Sequence, residues 1–330
     1  MHQRLKAVAA SAAGMLGILA LSAYPAGASA QSGTLVVYSA GPAGLANDLV
    51  QAFQQRTGIQ VQIYQSTTGK VLGRLQAEKS NPHADLVMLA DWSAGAALQQ
   101  EGMLQPFYPT NGQNAIWKGP KGMYYAYSAS ALGITYNTNL VKNPPTTWLA
   151  ALNPQWEGKI VMPDPAQSGS AVDFVGGYLQ NQVLGMYYFQ DLGKYGAVVQ
   201  GANADALNEV ITGAKDMVLA GVDYMAYADI AKGEPLGIVY PKEGTVVNPR
   251  PVMILKSAHN LRAARLFEDF VMSDAAQAIV AKNYLLPGIK GYPANPARVG
   301  LSGIDAWTVN WGDLARHKAS YIQSIDNALQ

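Results

Sequence analysis

The stretch Leu35-Val36-Val37-Tyr38-Ser39-Ala40-Gly41 opens the folded part of the chain and sets its plan. Four apolar residues with the texture of a buried strand run into a turn of small residues. Leu45, Leu49 and Phe53 then recur at four-residue spacing, one face of a helix. Gly58 stops that helix, and Ile59, Val61 and Ile63 alternate as a second strand. Ser66-Thr67-Thr68-Gly69-Lys70 opens another helix, carried by Val71, Leu72 and Leu75. Asp85–Ala90 is an apolar run with the length of a buried parallel strand. Ala94–Leu98 gives a third helix, ending at Gly102. This βαβαβα order predicts an α/β fold, a mostly parallel sheet covered by helices.

Upstream, His2, Arg4 and Lys6 form a short basic start before the apolar stretch Ala7–Leu21, and Ala28-Ser29-Ala30 fits a small-x-small cleavage site. Residues 1–30 therefore read as a signal peptide, with Gln31 as the mature N-terminus and a periplasmic or secreted location. The chain has no Cys. That removes a lipobox, a disulfide framework, thiolate metal sites and a Cys nucleophile. The 23 basic residues fall to 21 once Arg4 and Lys6 are removed, against 22 acidic ones. Such balance argues against a nucleic-acid surface, which needs a concentrated basic face.

Downstream, Tyr124–Asn139 is β-rich and long for one strand, long enough to pass from one lobe to another. Pro144-Pro145 breaks the chain before a helix start at Thr146-Thr147-Trp148-Leu149. Gly158–Met162 reads as a strand, followed by Pro163-Asp164-Pro165. A helix-rich middle, Ser170–Ile211, leads to the strand Met217–Gly221. Val246–Leu255 is a second crossing candidate, with Pro249 and Pro251 limiting regular pairing. Asn260–Lys282 reads as one strong helix with Leu261, Ala264, Phe267, Phe270 and Val271 on a face. Two crossings imply two discontinuous lobes. Lobe 1 combines residues 33–123 with part of 256–330, lobe 2 holds 137–247, and 124–136 and 248–255 form the hinge. Ligands of open α/β sheets bind beyond the carboxyl ends of the strands, here the cleft between lobes.

Candidate binding residues follow from that geometry. Ser66, Thr67, Thr68 and Gly69 sit between a strand and a helix, where unpaired N–H groups and hydroxyls suit an anion, and Lys70 adds a charge. An N-cap alone explains the same residues. Ser168, Gly169 and Ser170 form a second such loop on the other lobe, and Ser39 belongs to a third, weaker one. Asp91 is a candidate for a ligand amine or a helix cap, with Trp92 beside it. Asp223, Tyr224 and Tyr227 follow the strand Met217–Gly221; tyrosines there line a pocket or ligate a hard metal. Arg250 is a partner for an anion or for a carboxylate across the hinge. His83, His259 and His317 show no zinc spacing, and Gly-x-Ser-x-Gly is absent, so no catalytic machinery is signalled.

The runs Leu35–Ser39, Ala77–Val87, Glu101–Phe107, Gly158–Ser170, Ile238–Gly244 and Ala263–Ser273 resemble, in order, the type II extracellular solute-binding proteins of ABC importers. They are closest to the branch of ferric-iron-binding and 2-aminoethylphosphonate-binding proteins. The resemblance implies the two-lobed periplasmic binding protein type II fold, with mixed, mostly parallel sheets and a hinge of two crossing strands. It also implies a membrane permease as partner. Iron-binding relatives carry adjacent tyrosines after a second-lobe strand; here Asp223-Tyr224-Met225 breaks the pair. Many carry a His in the first loop, and Ser39-Ala40-Gly41-Pro42 has none. The loops Ser66–Gly69 and Ser168–Ser170 resemble the Ser-Thr-Gly and Ser-Gly-Thr loops of the phosphonate branch.

The resulting expectation is a monomeric binding component that captures a small organic anion, a phosphonate or phosphate ester, and delivers it to an inner-membrane permease. No cofactor, resident metal or nucleic-acid partner is expected. A ferric-iron carrier using Tyr224 and Tyr227 is the first alternative, and a secreted hydrolase the second.

Overall fold

A computed structural model describes residues 33–329. The signal-peptide reading of residues 1–30 lies outside them. The first part of the chain gives strands β1 (Leu35–Ser39), β2 (Val61–Gln65), β3 (Leu86–Met88), β4 (Leu104–Gln105) and β5 (Tyr125–Asn137). Between them lie helices α1 (Ala43–Thr57), α2 (Thr68–Ala77) and α3 (Trp92–Gln100). The remainder adds β6 (Ile160–Met162), β7 (Val198–Val199), β8 (Met217–Val222), β9 (Leu236–Val239), β10 (Val247–Leu255) and β11 (Leu286–Pro287). Its helices are α4 (Gly169–Asn181), α5 (Met186–Lys194), α6 (Asn203–Ile211), α7 (Asp223–Ile230), α8 (Leu261–Val271), α9 (Asp274–Lys282) and α10 (Trp311–Leu329).

The strands join in the order β2-β1-β3-β10-β5-β8-β6-β7. Both ends of this path are parallel: β2, β1 and β3 in the first half, β8, β6 and β7 in the second. The middle is antiparallel, because β5 and β10 run against each other and against their outer neighbours. Strand β5 pairs with β10 over Tyr125–Ala131 and with β8 over Leu132–Tyr136, so one strand serves both halves. The order is that of a mixed α/β fold.

Each half buries its own core on both faces of its sheet. In the first, Phe53, Phe267 and Val271 lie under α1, α8 and α9, and Val71, Leu89 and Leu98 lie under α2 and α3 on the other face. In the second, Trp148, Phe174, Tyr188 and Leu329 pack beneath α4, α5 and α10, and Ala206, Val210 and Val218 pack beneath α6. Near-continuous apolar strands follow from this two-sided burial.

Two local expectations change. Asn260–Lys282 is two helices, because Ser273 takes an extended backbone (φ −77°, ψ 158°) and its hydroxyl donates to the Phe270 carbonyl. Thr146–Leu149 starts only a 3₁₀ turn over Leu149–Leu152, with Pro154 just beyond. Strand β10 is buried along its whole length, and its pairing is irregular where Pro249 and Pro251 fall, as expected. The sheet absorbs them through a register shift between Arg250 and Pro251.

Glu268 on α8 is buried, with neither carboxyl oxygen hydrogen-bonded. Burial, and then the neighbouring Asp269, hold its carboxyl well above the usual range. The unfolded chain ionises this group near pH 4.3. The fold therefore bears no penalty from it below that pH and a growing one as pH rises toward the folded value. Glu268→Met should raise stability at pH 8 by about 1–3 kcal/mol and by much less at pH 5. Urea unfolding at the two pH values measures this; equal gains at both would contradict it.

Candidate functional site

The carboxyl ends of the strands face one another across a cavity of about 190 Å³. Strands β1, β2, β3, β7 and β8 contribute residues that follow them. Ala40, Gly41 and Pro42 follow β1, Ser66–Thr68 follow β2, and Ala90 follows β3. From the second half come Gln167–Gly169 ahead of α4, Ala202–Ala204 after β7, and Tyr224 and Met225 after β8. The cavity therefore sits at the N-terminal ends of α1, α2, α4, α6 and α7, where free N–H groups and helix dipoles favour negative charge. No acidic or basic side chain lines it.

The loops are shaped by their own sequences. Ser39 Oγ accepts from the Gly41 N–H at 3.1 Å, folding the first turn. The Gln65 side-chain amide donates to the Gly41 carbonyl at 2.6 Å and ties that turn to the end of β2. Thr67 caps α2, its hydroxyl accepting from the Lys70 N–H at 3.4 Å. Thr68 is buried at 3% exposure and its hydroxyl has no partner. Ser168 caps α4 by accepting from the Ala171 N–H at 3.2 Å. Asn203 Nδ2 donates to Ser168 Oγ at 2.8 Å and Ser170 Oγ at 3.1 Å, which fixes the second loop from α6.

The two halves touch at two places next to the cavity-lining loops. Gly69 lies so close to the Ala166 carbonyl that a Cβ there would stand 2.6 Å from its oxygen. A Cβ at Gly169 would collide with Asp91 Oδ1. Glycine is required at both places by this approach, whatever its backbone angles.

Of the residues picked out from sequence, Ser66, Thr67, Thr68, Ser168, Gly169 and Tyr224 line the cavity. Ser39 and Ser170 stand behind it and order the loops. Gly69 forms the contact between halves, and Lys70 is exposed and outside the lining. Asp91 is fully buried and its Oδ2 accepts from Lys318 Nζ at 2.8 Å, so it is not free for a ligand amine. Trp92 packs edge-on against Tyr124 within the core. Asp223 is held in a buried ion pair with Arg298 at 2.6 Å and accepts from Tyr240 Oη at 2.8 Å. Tyr227 points away: its hydroxyl accepts from the Val299 N–H at 3.1 Å. Tyr224 and Tyr227 therefore do not converge on the cavity, and burial pushes the Tyr224 phenol up, away from phenolate. His83, His259 and His317 are exposed.

Arg250 lies one layer behind the wall. It is buried at 1% exposure, donates to the Ala40 carbonyl at 3.3 Å and stands 5.4 Å from the Tyr224 ring centroid. Its Nε has no partner, and no carboxylate lies within ion-pair distance among the described residues. The residues sequence reasoning missed are Ala202–Ala204 and Gln167. Their signal was the Gly201-Ala202-Asn203-Ala204-Asp205 turn, in which Asp205 accepts from the Ala202 N–H at 2.8 Å. It was hidden inside a stretch read only as helix-rich.

Strand ends and helix N-termini turned toward one interior cavity suit the capture of a small solute. Residues 81–316 match the family described as bacterial extracellular solute-binding proteins, and the chain belongs to that family. Its relatives include "Iron uptake protein A1" of Synechocystis, 27% identical over 269 residues, with 76% of this chain and 74% of the relative covered. Another is the "Putative 2-aminoethylphosphonate-binding periplasmic protein" of Salmonella typhimurium, 24% identical over 282 residues and covering 80% and 81%. Among solved structures, the periplasmic binding protein AfuA from Actinobacillus pleuropneumoniae, with fructose-6-phosphate bound, superposes with a TM-score of 0.84. The match is 21% identical and covers 90% of this chain and 99% of that one. Iron-bound HitA from Pseudomonas aeruginosa gives a TM-score of 0.79 at 24% identity, covering 88% and 99%.

Proposed function

We propose that the protein captures a small organic anion, a phosphonate or phosphate ester, outside the cytoplasm and delivers it to an ABC permease. One observation carries the reading. The cavity is walled by helix N-termini and hydroxyls, contains no carboxylate, and is backed by the buried, unpaired Arg250. An unpaired buried cation is costly, and an anion in the cavity offsets that cost. Residues 33–123 with α8 and α9 form one lobe in this reading and 137–247 with α10 the other. Strands β5 and β10 serve as hinge, and differential contacts with the closed form drive capture. The names of several relatives support both the transport role and the phosphonate.

A ferric ion fits the same cavity poorly. It would meet five positive helix ends and one phenol, and hard trivalent cations favour several anionic oxygens. Catalysis has no support, since no nucleophile with an adjacent base lines the cavity.

Thermal unfolding with 2-aminoethylphosphonate, fructose 6-phosphate, inorganic phosphate and ferric citrate tests the reading. A specific anion at a hundred times its Kd should stabilise the protein by about 2.7 kcal/mol. Thr68→Ala with Ser168→Ala should weaken that anion's binding by about ten- to a hundredfold, because each hydroxyl bond to a charged group is worth about 1.5 kcal/mol or more. A shift with ferric citrate alone, accompanied by a coloured phenolate–iron complex, would overturn the organic-anion reading.

A further inference from the structure

A second polar cluster lies beside the cavity, buried between the same two halves. It joins Asp91 and Ser93 at the start of α3 to Asp173 on α4 and Lys318 on α10. Asp91, Ser93 and Asp173 are each fully buried, and Lys318 is mostly so. Asp173 Oδ2 accepts from the Trp92 N–H at 3.0 Å. Ser93 Oγ is hydrogen-bonded to Asp173 Oδ1 and stands 3.4 Å from Asp91 Oδ2, which also accepts from Lys318 Nζ at 2.8 Å. One hydroxyl thus sits between two carboxylates. A hydroxyl has a single proton, so it can donate to only one of them. The arrangement is complete with one more proton, on Asp173 Oδ1, which then donates to Ser93 while Ser93 donates to Asp91. With that proton the cluster is neutral: Asp91 balances Lys318, and Asp173 is uncharged.

We propose that Asp91, Ser93, Asp173 and Lys318 form a proton-dependent latch between the two halves, so that closure takes up one proton onto Asp173. The inference rests on the reading that the halves open and close around a solute. Opening would expose Asp173 to water, where a carboxyl ionises near pH 3.9. In the closed form, burial and then the Asp91 charge push it up to about 8, against the opposing pull of Lys318 and Ser93. The charged groups acting on Asp173 are Asp91 at the start of α3 and Lys318 of α10, while Arg250 of β10 acts on Asp91. The sign follows. Between those two values the closed form binds more protons than the open one, so closure weakens as pH rises, by at most about tenfold per pH unit.

Small-angle X-ray scattering on the ligand-free protein reads this directly at about pH 5.5 and about pH 9. The radius of gyration of the wild type should increase at the higher pH. Asp173→Asn, which keeps a donor toward Ser93 and carries no charge, should hold the compact value at both. Lys318→Met, which leaves Asp91 without its cation, should be expanded already at neutral pH. An unchanged wild-type radius overturns the latch, and so does an Asp173→Asn protein that expands as much as the wild type. Because no ligand is present, a failure of anion binding leaves this measurement intact. Conversely, a pH-independent radius leaves the anion reading standing.

Discussion

Arg250→Met should abolish tight anion binding while leaving the ligand-free protein at least as stable as the wild type. The guanidinium is buried without an ion-pair partner; around it stand the Ala40 carbonyl, the Tyr224 ring and the Tyr127 hydroxyl, with the Asp91 charge farther off. Replacing it by a flexible apolar side chain of similar length removes a desolvated charge, a change that is often neutral or stabilising. The cavity loses the buried cation behind its wall by the same substitution. At about 6 Å and an effective dielectric constant near 20, the lost attraction is roughly 3 kcal/mol, or about a hundredfold in Kd. Calorimetric titration with 2-aminoethylphosphonate and fructose 6-phosphate, beside thermal unfolding without ligand, separates the two effects. A variant that unfolds earlier yet binds its anion normally would assign Arg250 to the scaffold.

Much of this site was legible because its signals are local. A strand followed by Ser-Thr-Thr-Gly or Ser-Gly-Ser announces a helix N-terminus within five residues, and both loops line the cavity. The alternation of Ile59, Val61 and Ile63 and the apolar run at Leu86 marked strands for the same reason. What failed depended on distant partners. Nothing near Asp91 shows that Lys318, from a helix 227 residues away in sequence, occupies its carboxylate. Asp223 is likewise taken by Arg298, and Tyr227 by the Val299 backbone, both from the chain's last quarter. Asn203 escaped because its function is to bond Ser168 and Ser170, a contact between loops that helical periodicity does not reveal. Acidic and aromatic residues at strand ends thus find partners inside the protein, whereas small polar residues form the cavity wall.

Asp223 provides the converse of Arg250. Its Oδ2 accepts from Arg298 Nη2 at 2.6 Å and from Tyr240 Oη at 2.8 Å, and its Oδ1 accepts from the Ala131 N–H at 3.1 Å. The side chains of both members of the ion pair are inaccessible to solvent. Arg298 Nη1 also reaches the Tyr284 carbonyl at 2.5 Å, so the pair ties α7 and β5 to the segment that follows α9. Asp223→Ala would leave a guanidinium buried without its counter-charge and strip acceptors from a phenol and a backbone amide. Breaking one side of such a pair costs about 3–5 kcal/mol. Adding Arg298→Met should recover a substantial part of that loss, because the stranded charge is removed along with its partner. Chemical denaturation of the two single variants and the double variant measures the coupling; additive losses would mean that the ion pair contributes nothing. Asp223→Asn is the gentler probe of the site. It should lower the unfolding temperature yet, where the protein is folded, change the Kd of the bound anion by less than about threefold, since no atom of Asp223 lines the cavity. Arg250→Met loses binding and keeps the fold, whereas Asp223→Asn weakens the fold and keeps binding. The anion reading requires that opposition. If both substitutions abolished binding alike, the anion would have to be contacting Asp223 directly, and the carboxylate-free cavity could not be the binding site.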